Sequence, residues 1–316
     1  MFKFSFTSFF ICCLSFTMYG CTSYNSSSPT NTNVTINTQL EQDFQRLEQS
    51  VNGRLGVYIL DTQTNTTWLY NHESRFRMMS TFKALACGMV LARVETSDEN
   101  LDRMLTIEQE DIIANSWNPY TAKHVGEQIS MKKLCDVVMA QSDNSAANMV
   151  LTSLGGPNQL TTYLRSIGDD RTRLDRLEPK LNYADGDKDT TTPQAIAETI
   201  NKFVLGDELS DPRHKNIMIN WLKSNKYSSN QLRAGIPSHW EVGDRTGAAS
   251  DGSKGIVSII WPPHRSPIIA AIYVTDVTHP GATEEEIKTV KLKIDKLFAD
   301  VGTLIVEQII SENKDN

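Results

Sequence analysis

Residues 78–90 read MMSTFKALACGMV, and the chain changes character at this stretch. Before it the apolar residues alternate, which is the period of strands; after Ser80 they recur at helical spacing. The stretch also sets a hydroxyl at the mouth of an apolar helical run, with Lys83 three residues further on. Positions three apart on a helix share a face within side-chain reach. Serine is a poor nucleophile without a base, so an amine beside it is a means of activation. The pattern S-x-x-K is not decisive by itself, because Ser130–Lys133 and Ser311–Lys314 repeat it.

Toward the N-terminus, QLEQDFQRLEQSV follows a threonine cap and places Leu40, Phe44, Leu47 and Val51 at helical spacing, with Gly53 as the stop. RLGVYILDT (54–62) and TTWLYN (66–71) then alternate as two antiparallel strands around the turn Gln63-Thr64-Asn65. Beyond Ser80, helical periodicity runs through 80–95, 131–141, 144–154 and 157–167, with Gly155-Gly156-Pro157 as punctuation. Residues 169–192 are polar and loop-like, and helices resume over 193–205 and 211–225. Strands return at WEVGDRTGA (240–248), KGIVSIIWP (254–262) and IIAAIYVTD (268–276), before a closing helix from about Thr283 to Glu312. Strands at both ends around a helical block predict an α+β fold. The expectation is an α/β/α sandwich, with a five-stranded antiparallel sheet flanked by the terminal helices and an inserted all-helical lobe. The sheet lobe would take residues 39–79 and 224–316 and the helical lobe 80–223, with a site in the cleft between them.

The 316 residues suffice for one large domain or two lobes. A net charge of −7 speaks against a nucleic-acid partner, which needs a basic surface. The six histidines show neither H-x-H nor one-turn pairing, which speaks against a metal site. At the N-terminus, Lys3 precedes an apolar run from Phe4 to Met18, long enough for a signal-peptide core and short for a bilayer span. The structural alternative is a buried N-terminal strand or helix. Residues 1–20 therefore read as a leader. Met18-Tyr19-Gly20-Cys21 resembles a bacterial lipoprotein box, with Cys21 as the lipid acceptor. Tyr19 departs from the usual pattern, which leaves cleavage to a soluble form as the alternative. Residues 21–38, rich in Ser, Thr and Asn, read as a flexible tether. Cys12 and Cys13 leave with the leader, so Cys87 and Cys135 remain as one pair in an oxidising compartment or as two buried thiols. A bridge over so long a loop would contribute about 4 kcal/mol.

Four pieces can meet at the cleft. Ser80-Thr81-Phe82-Lys83 is the first. Ser142-Asp143-Asn144 lies in a turn between helices, where Ser, Asp and Asn serve equally well as N-caps. Arg176-Leu177-Glu178-Pro179-Lys180-Leu181-Asn182 lies in the polar loop and reads otherwise as a solvated proline turn. Arg245-Thr246-Gly247-Ala248 ends a strand, where a cation and a hydroxyl could meet a carboxylate. Its bland alternative is an edge strand running into a turn.

Together and in this order, the four pieces resemble the class A serine β-lactamase family, which carries S-x-x-K, S-D-N and K-T-G. The resemblance spans about residues 39–310. It implies that Ser80 attacks the lactam carbonyl, with the backbone N–H groups of Ser80 and Ala248 as the oxyanion hole. Lys83 is implied as base or electrostatic partner, Ser142 as the proton relay to the departing nitrogen, and Asn144 as the link to Lys83 and the substrate amide. Glu178 and Asn182 are implied to hold the hydrolytic water, a second base aimed from another direction. Whether Lys83 or Glu178 deprotonates Ser80 stays open. Thr246, Gly247 and Arg245 are implied to face the substrate, Arg245 standing where most members have lysine, as in the carbenicillin-hydrolysing branch. Trp117 is implied to stack on substrate from the cleft edge, and Lys254 to bind its carboxylate. Arg176 and Asp189 match the salt bridge that closes the family's omega-shaped loop. Cys87 and Cys135 stand where many members form a disulfide. Met79 and Ala249 lack the extra cysteine pair of one carbapenem-hydrolysing branch. The resemblance implies a monomer with a small β-lactam substrate, no cofactor, and export to the periplasm or a lipid-anchored membrane position. Two other functions share the acyl-serine step: a D-alanyl-D-alanine peptidase, against which the glutamate of E-P-K-L-N speaks, and a non-hydrolytic β-lactam sensor, which normally needs a membrane-spanning segment.

Overall fold

A computed structural model of the chain describes residues 1–3, 33–34 and 38–312. Cys21, the leader beyond residue 3, and all of the tether except Asn33, Val34 and Thr38 lie outside the described residues. In order, the chain forms β1 (Asn33–Val34), α1 (Thr38–Val51), β2 (Arg54–Asp61), β3 (Thr66–Tyr70), β4 (Phe76–Arg77) and α2 (Phe82–Glu95). There follow β5 (Met104–Thr106), β6 (Gln128–Ser130), α3 (Met131–Gln141), α4 (Asn144–Ser153), α5 (Pro157–Ser166) and β7 (Thr190–Thr191). The chain ends with α6 (Pro193–Val204), α7 (Pro212–Lys223), β8 (Glu241–Ala248), β9 (Lys254–Trp261), β10 (Ile268–Thr275) and α8 (Glu284–Glu312).

The main sheet has the order β1-β3-β2-β10-β9-β8, and β3 to β8 in that order form the expected five antiparallel strands. Its middle strand β10 reads IIAAIYVT and is buried at every residue, as expected of a strand covered on both faces. Alternation divides it. Ile268, Ala270, Ile272 and Val274 face a core shared with Phe44 of α1 and Phe298 of α8, while Ile269, Ala271 and Tyr273 face the core of the helical block. On α8, Ile294, Leu297, Phe298, Val301 and Ile305 recur at three- and four-residue spacing and form its buried stripe. Each such side chain stabilises the fold by about 1.5–3 kcal/mol. Helix α2 differs: Phe82 to Leu91 are buried without exception, so it is the axis of the helical block.

Several expectations change. Asn33–Val34 is not free tether but pairs parallel to β3 at the sheet edge, Asn33 opposite Thr66. Asn52, at φ +50°, takes the left-handed position that ends α1. Gly53 instead allows a close approach, since a Cβ there would lie 2.6 Å from Val277 Cγ1. Cys87 and Cys135 are not bridged. They are two buried free thiols. Burial, reinforced by the neighbouring Cys87, pushes the Cys135 thiol well up. The Ser130–Lys133 match is a helix cap, Ser130 Oγ accepting from Lys133 N–H at 3.2 Å. Ser311 Oγ donates to Gln308 O at 2.8 Å, and Lys314 lies outside the described residues.

Candidate active site

Ser80 lies in a 3-10 turn, Met79–Thr81, that leads into α2. Met79 has φ +49°, uncommon for a residue with a Cβ, and the surrounding structure holds it there. Strand β8 packs directly on this turn. A Cβ on Gly247 would lie 2.8 Å from Ser80 N and 2.9 Å from Met79 Cβ, so only glycine permits the contact.

Lys83 is fully buried at the start of α2, one turn beyond Ser80, and its ammonium is the hub of the site. Nζ donates to Ser80 Oγ at 2.9 Å, Ser142 O at 2.9 Å, Ser142 Oγ at 3.2 Å and Asn144 Oδ1 at 2.6 Å, and lies 3.3 Å from Glu178 Oε1. Burial drives its pKa down to about 8; the Glu178 carboxylate opposes this and the Arg245 charge adds to it.

The Ser142-Asp143-Asn144 turn serves structure and site at once. Ser142 ends α3 in the left-handed region at φ +59°, and its Oγ donates to Ser80 Oγ at 3.2 Å. Asp143 is the N-cap of α4, accepting from Ala146 N–H at 2.9 Å, and also holds Tyr120 N–H and Thr121 N–H. Asn144 divides its amide between Lys83 and Ser116 Oγ, to which Nδ2 donates at 2.8 Å.

Glu178 is buried, and its peptide to Pro179 is cis. Asn148 clasps its backbone from both sides, accepting from Glu178 N–H at 2.9 Å and donating to Glu178 O at 3.0 Å. Asn182 Nδ2 donates to Glu178 Oε2 at 2.6 Å. Glu178 Oε1 and Asn182 Oδ1 are buried oxygens without a hydrogen-bond donor among the described residues. Arg176 Nε donates to Asp189 Oδ2 at 2.6 Å, while Asp189 Oδ1 accepts the N–H groups of Asp175 and Arg176. The Asp189 carbonyl accepts from Met78 N–H at 3.0 Å, joining the loop to the nucleophile turn.

The cleft above these groups, about 340 Å³, is lined by Ser80, Trp117, Ser142, Asn144, Asn182 and Thr246 with Gly247, Ala248 and Lys254. Trp117 stands at its rim, 54% exposed, fixed by Nε1 donating to Gln141 O at 2.9 Å. Tyr227, which sequence reasoning missed, also lines the cleft and meets Trp117 edge-on at 6.1 Å. It carries no motif signal.

Two assignments need correction. Arg245 does not reach the cleft. It is fully buried, with Nε donating to Ser80 O at 3.1 Å and Nη2 to Ser142 Oγ, so it braces the two serines from behind. Burial lowers its pKa to about 10. Lys254 lies on the cleft wall, but its ammonium turns to Asp295 of α8 and donates to Lys291 O at 3.2 Å. Its charge is thereby neutralised by a neighbour.

A serine bonded to a buried lysine and a second serine, with a carboxylate at the lysine's far side, defines a serine acyl-transfer hydrolase. The comparisons narrow the class. Residues 39–309 match the model of the beta-lactamase enzyme family. Beta-lactamase PSE-4 of Pseudomonas aeruginosa is 40% identical, over 84% of this chain and 91% of its own length. Beta-lactamase 3 of Bacillus cereus is 36% identical, over 94% of this chain and 92% of its own. A solved ancestral (GNCA) class A β-lactamase is 43% identical with a TM-score of 0.79, and the match covers 85% of this chain and all of that one. This chain belongs to the class A β-lactamases.

Proposed function

We propose that the chain hydrolyses the β-lactam amide of penicillins and some cephalosporins through an acyl-enzyme on Ser80, and so confers resistance to them. The observation that carries this reading is the single contact network joining Ser80 Oγ, through Lys83 Nζ, to Glu178 Oε1 at 2.9 and 3.3 Å. Ser80 Oγ attacks the lactam carbonyl and loses its proton to the coupled Lys83–Glu178 pair. Charge developing on the carbonyl oxygen is met by the N–H groups of Ser80 and Ala248. Ser142, held by Lys83 and Arg245, passes a proton to the departing nitrogen. Water, held between Glu178 Oε1 and Asn182 Oδ1, two buried oxygens without a hydrogen bond among the described residues, then attacks the ester as the Glu178 carboxylate takes its proton. Thr246 and Gly247 line the path of the substrate, Asn144 meets its amide, and Trp117 offers an aromatic face.

The chain-level reading follows the same lines. Residues 1–20 act as an export leader and 39–316 as the enzyme, with Cys21 as the lipid attachment point on the exterior face of the membrane. The enzyme works as a monomer without a cofactor. No helix among the described residues is long and apolar enough to cross a membrane. Nitrocefin mixed with purified protein tests the enzymatic reading. Rapid multiple turnover is expected. A single stoichiometric burst would make the protein a sensor, and slow turnover with D-Ala-D-Ala cleavage would make it a peptidase.

A further inference from the structure

Arg77 belongs to none of the four motifs, yet three pieces of the cleft meet on it. It ends β4, one residue before Met78 and three before Ser80. Its backbone is part of the omega-shaped loop's attachment, for Arg77 pairs with Thr190 across the β4–β7 ladder. Its side chain then forks. Nη1 donates to the Asn182 carbonyl at 2.8 Å, while Nη2 donates to Ser253 Oγ at 2.7 Å and to the Asp251 carboxylate. The side chain is 11% exposed, so these charge-assisted bonds are weakly screened.

Each arm of the fork holds a working part. Asn182 is the residue whose Nδ2 holds Glu178 Oε2 at 2.6 Å. Ser253 directly precedes Lys254, which pairs with Ala248 in the β8–β9 ladder. The turn between them is pinned again by Thr278 Oγ1 donating to Asp251 O at 2.7 Å. One guanidinium therefore spans from the loop that carries the water site to the end of the strand that carries the oxyanion donor. A planar fork with five donors can hold three acceptors in fixed geometry; a lysine ammonium is a point charge.

We propose that Arg77 is a positioning residue for deacylation, setting the Asn182 side of the water site against the turn between β8 and β9. The proposal rests on the reading of Glu178 and Asn182 given above. Arg77 acts through Asn182 and the turn rather than on the reacting atoms. Acylation, which uses Ser80, Lys83, Ser142 and Ala248, is left largely intact by its loss. Where deacylation limits turnover, slowing it lowers kcat and KM together and leaves kcat/KM in place.

The test is steady-state kinetics of Arg77→Ala, Arg77→Lys and Asp251→Asn on a penicillin, with quenched samples weighed by mass spectrometry. For Arg77→Ala, kcat and KM are expected to fall together by about tenfold with kcat/KM within about twofold, the scale of a misplaced catalytic group. Acylated Ser80 accumulates at steady state, Arg77→Lys restores part of the rate, and Asp251→Asn shows a smaller shift in the same direction. Equal falls in kcat and kcat/KM without an adduct, or unchanged kinetics, would overturn the inference. Should Arg77→Ala fail to fold, Asp251→Asn, which keeps the Asn182 bond, carries the test with the same two outcomes. Glu178→Ala is the control. An adduct there but none in Arg77→Ala overturns the role of Arg77 alone; none in either overturns the role of Glu178 on which it rests.

Discussion

Around Ser80 the chain is held mainly by close packing, whereas around Glu178 a handful of polar bonds add to the two buried side chains Leu174 and Leu181. Met78, Met79 and Phe82 are wholly buried, and Gly247 lies against Ser80 with no room for a methyl group. Between its buried leucines the loop of Glu178 relies on polar ties: Arg176–Asp189, Asn148 with the Glu178 backbone, and Arg77 with Asn182. Packing sums many small contacts and gives way gradually. A buried polar tie fails at once, because its partner is left unsatisfied. The acylating half is thus built into the core, and the deacylating half is attached to it, so the second step is the easier one to lose.

Breaking the packed half should have the largest effect. Gly247→Val pushes a side chain into Ser80 N and Met79. We expect kcat/KM on nitrocefin to fall by about a hundredfold or more, with no acyl-enzyme in mass spectra. Wild-type kcat/KM in that variant would break the packing account. Cutting the polar half comes next. Asp189 is buried and receives Arg176 Nε together with two backbone N–H groups. Breaking such a pair from one side costs about 3–5 kcal/mol. Asp189→Asn should lower the melting temperature and slow turnover of good penicillins, while acylation measured in a stopped-flow burst is kept. Unchanged turnover would show that the loop does not depend on this tie.

A pH profile sharpens the comparison at the hub where the halves meet. The Lys83 ammonium is charged below its pKa of about 8 and lost above it. Since that charge offsets Glu178 and bonds Ser80 Oγ, kcat/KM should decline as pH rises through about 8. A rise over the same range would instead make the neutral amine the base for Ser80. The smallest effect belongs to the rim. Trp117→Ala should raise KM by an amount equivalent to about 1 kcal/mol with kcat kept. A matching fall in kcat would place Trp117 among the groups that act in the transition state.

How much could be read beforehand follows the same division. The strands and helices were legible because apolar alternation, short apolar runs and 3.6 spacing are local, as β2, β10 and α1 show. Ser80, Lys83, Ser142, Asn144, Glu178 and Asn182 were legible through motif order, and the structure brings all six together. The motif also concealed a division of labour. Ser142 and Asn144 face Lys83, whereas Asp143 is the helix cap that its residue type suggested. Misjudged residues had partners distant in the chain. Lys254 turns to Asp295 on α8, and Arg245 to Ser80 and Ser142, so charges expected at the cleft surface are spent within the protein. Arg77 was silent for the same reason: its acceptors on Asn182, Asp251 and Ser253 are more than a hundred residues away. The cysteines were placed as neighbours but not in the right chemical state.

The most direct test of the two-halves account is Glu178→Ala with a penicillin, followed by mass spectrometry of the intact protein. The account predicts acylation of Ser80 at close to the wild-type rate and an adduct that persists, because the packed half is complete and the attached half has lost its carboxylate. Absence of an adduct, or turnover at the wild-type rate, would contradict it.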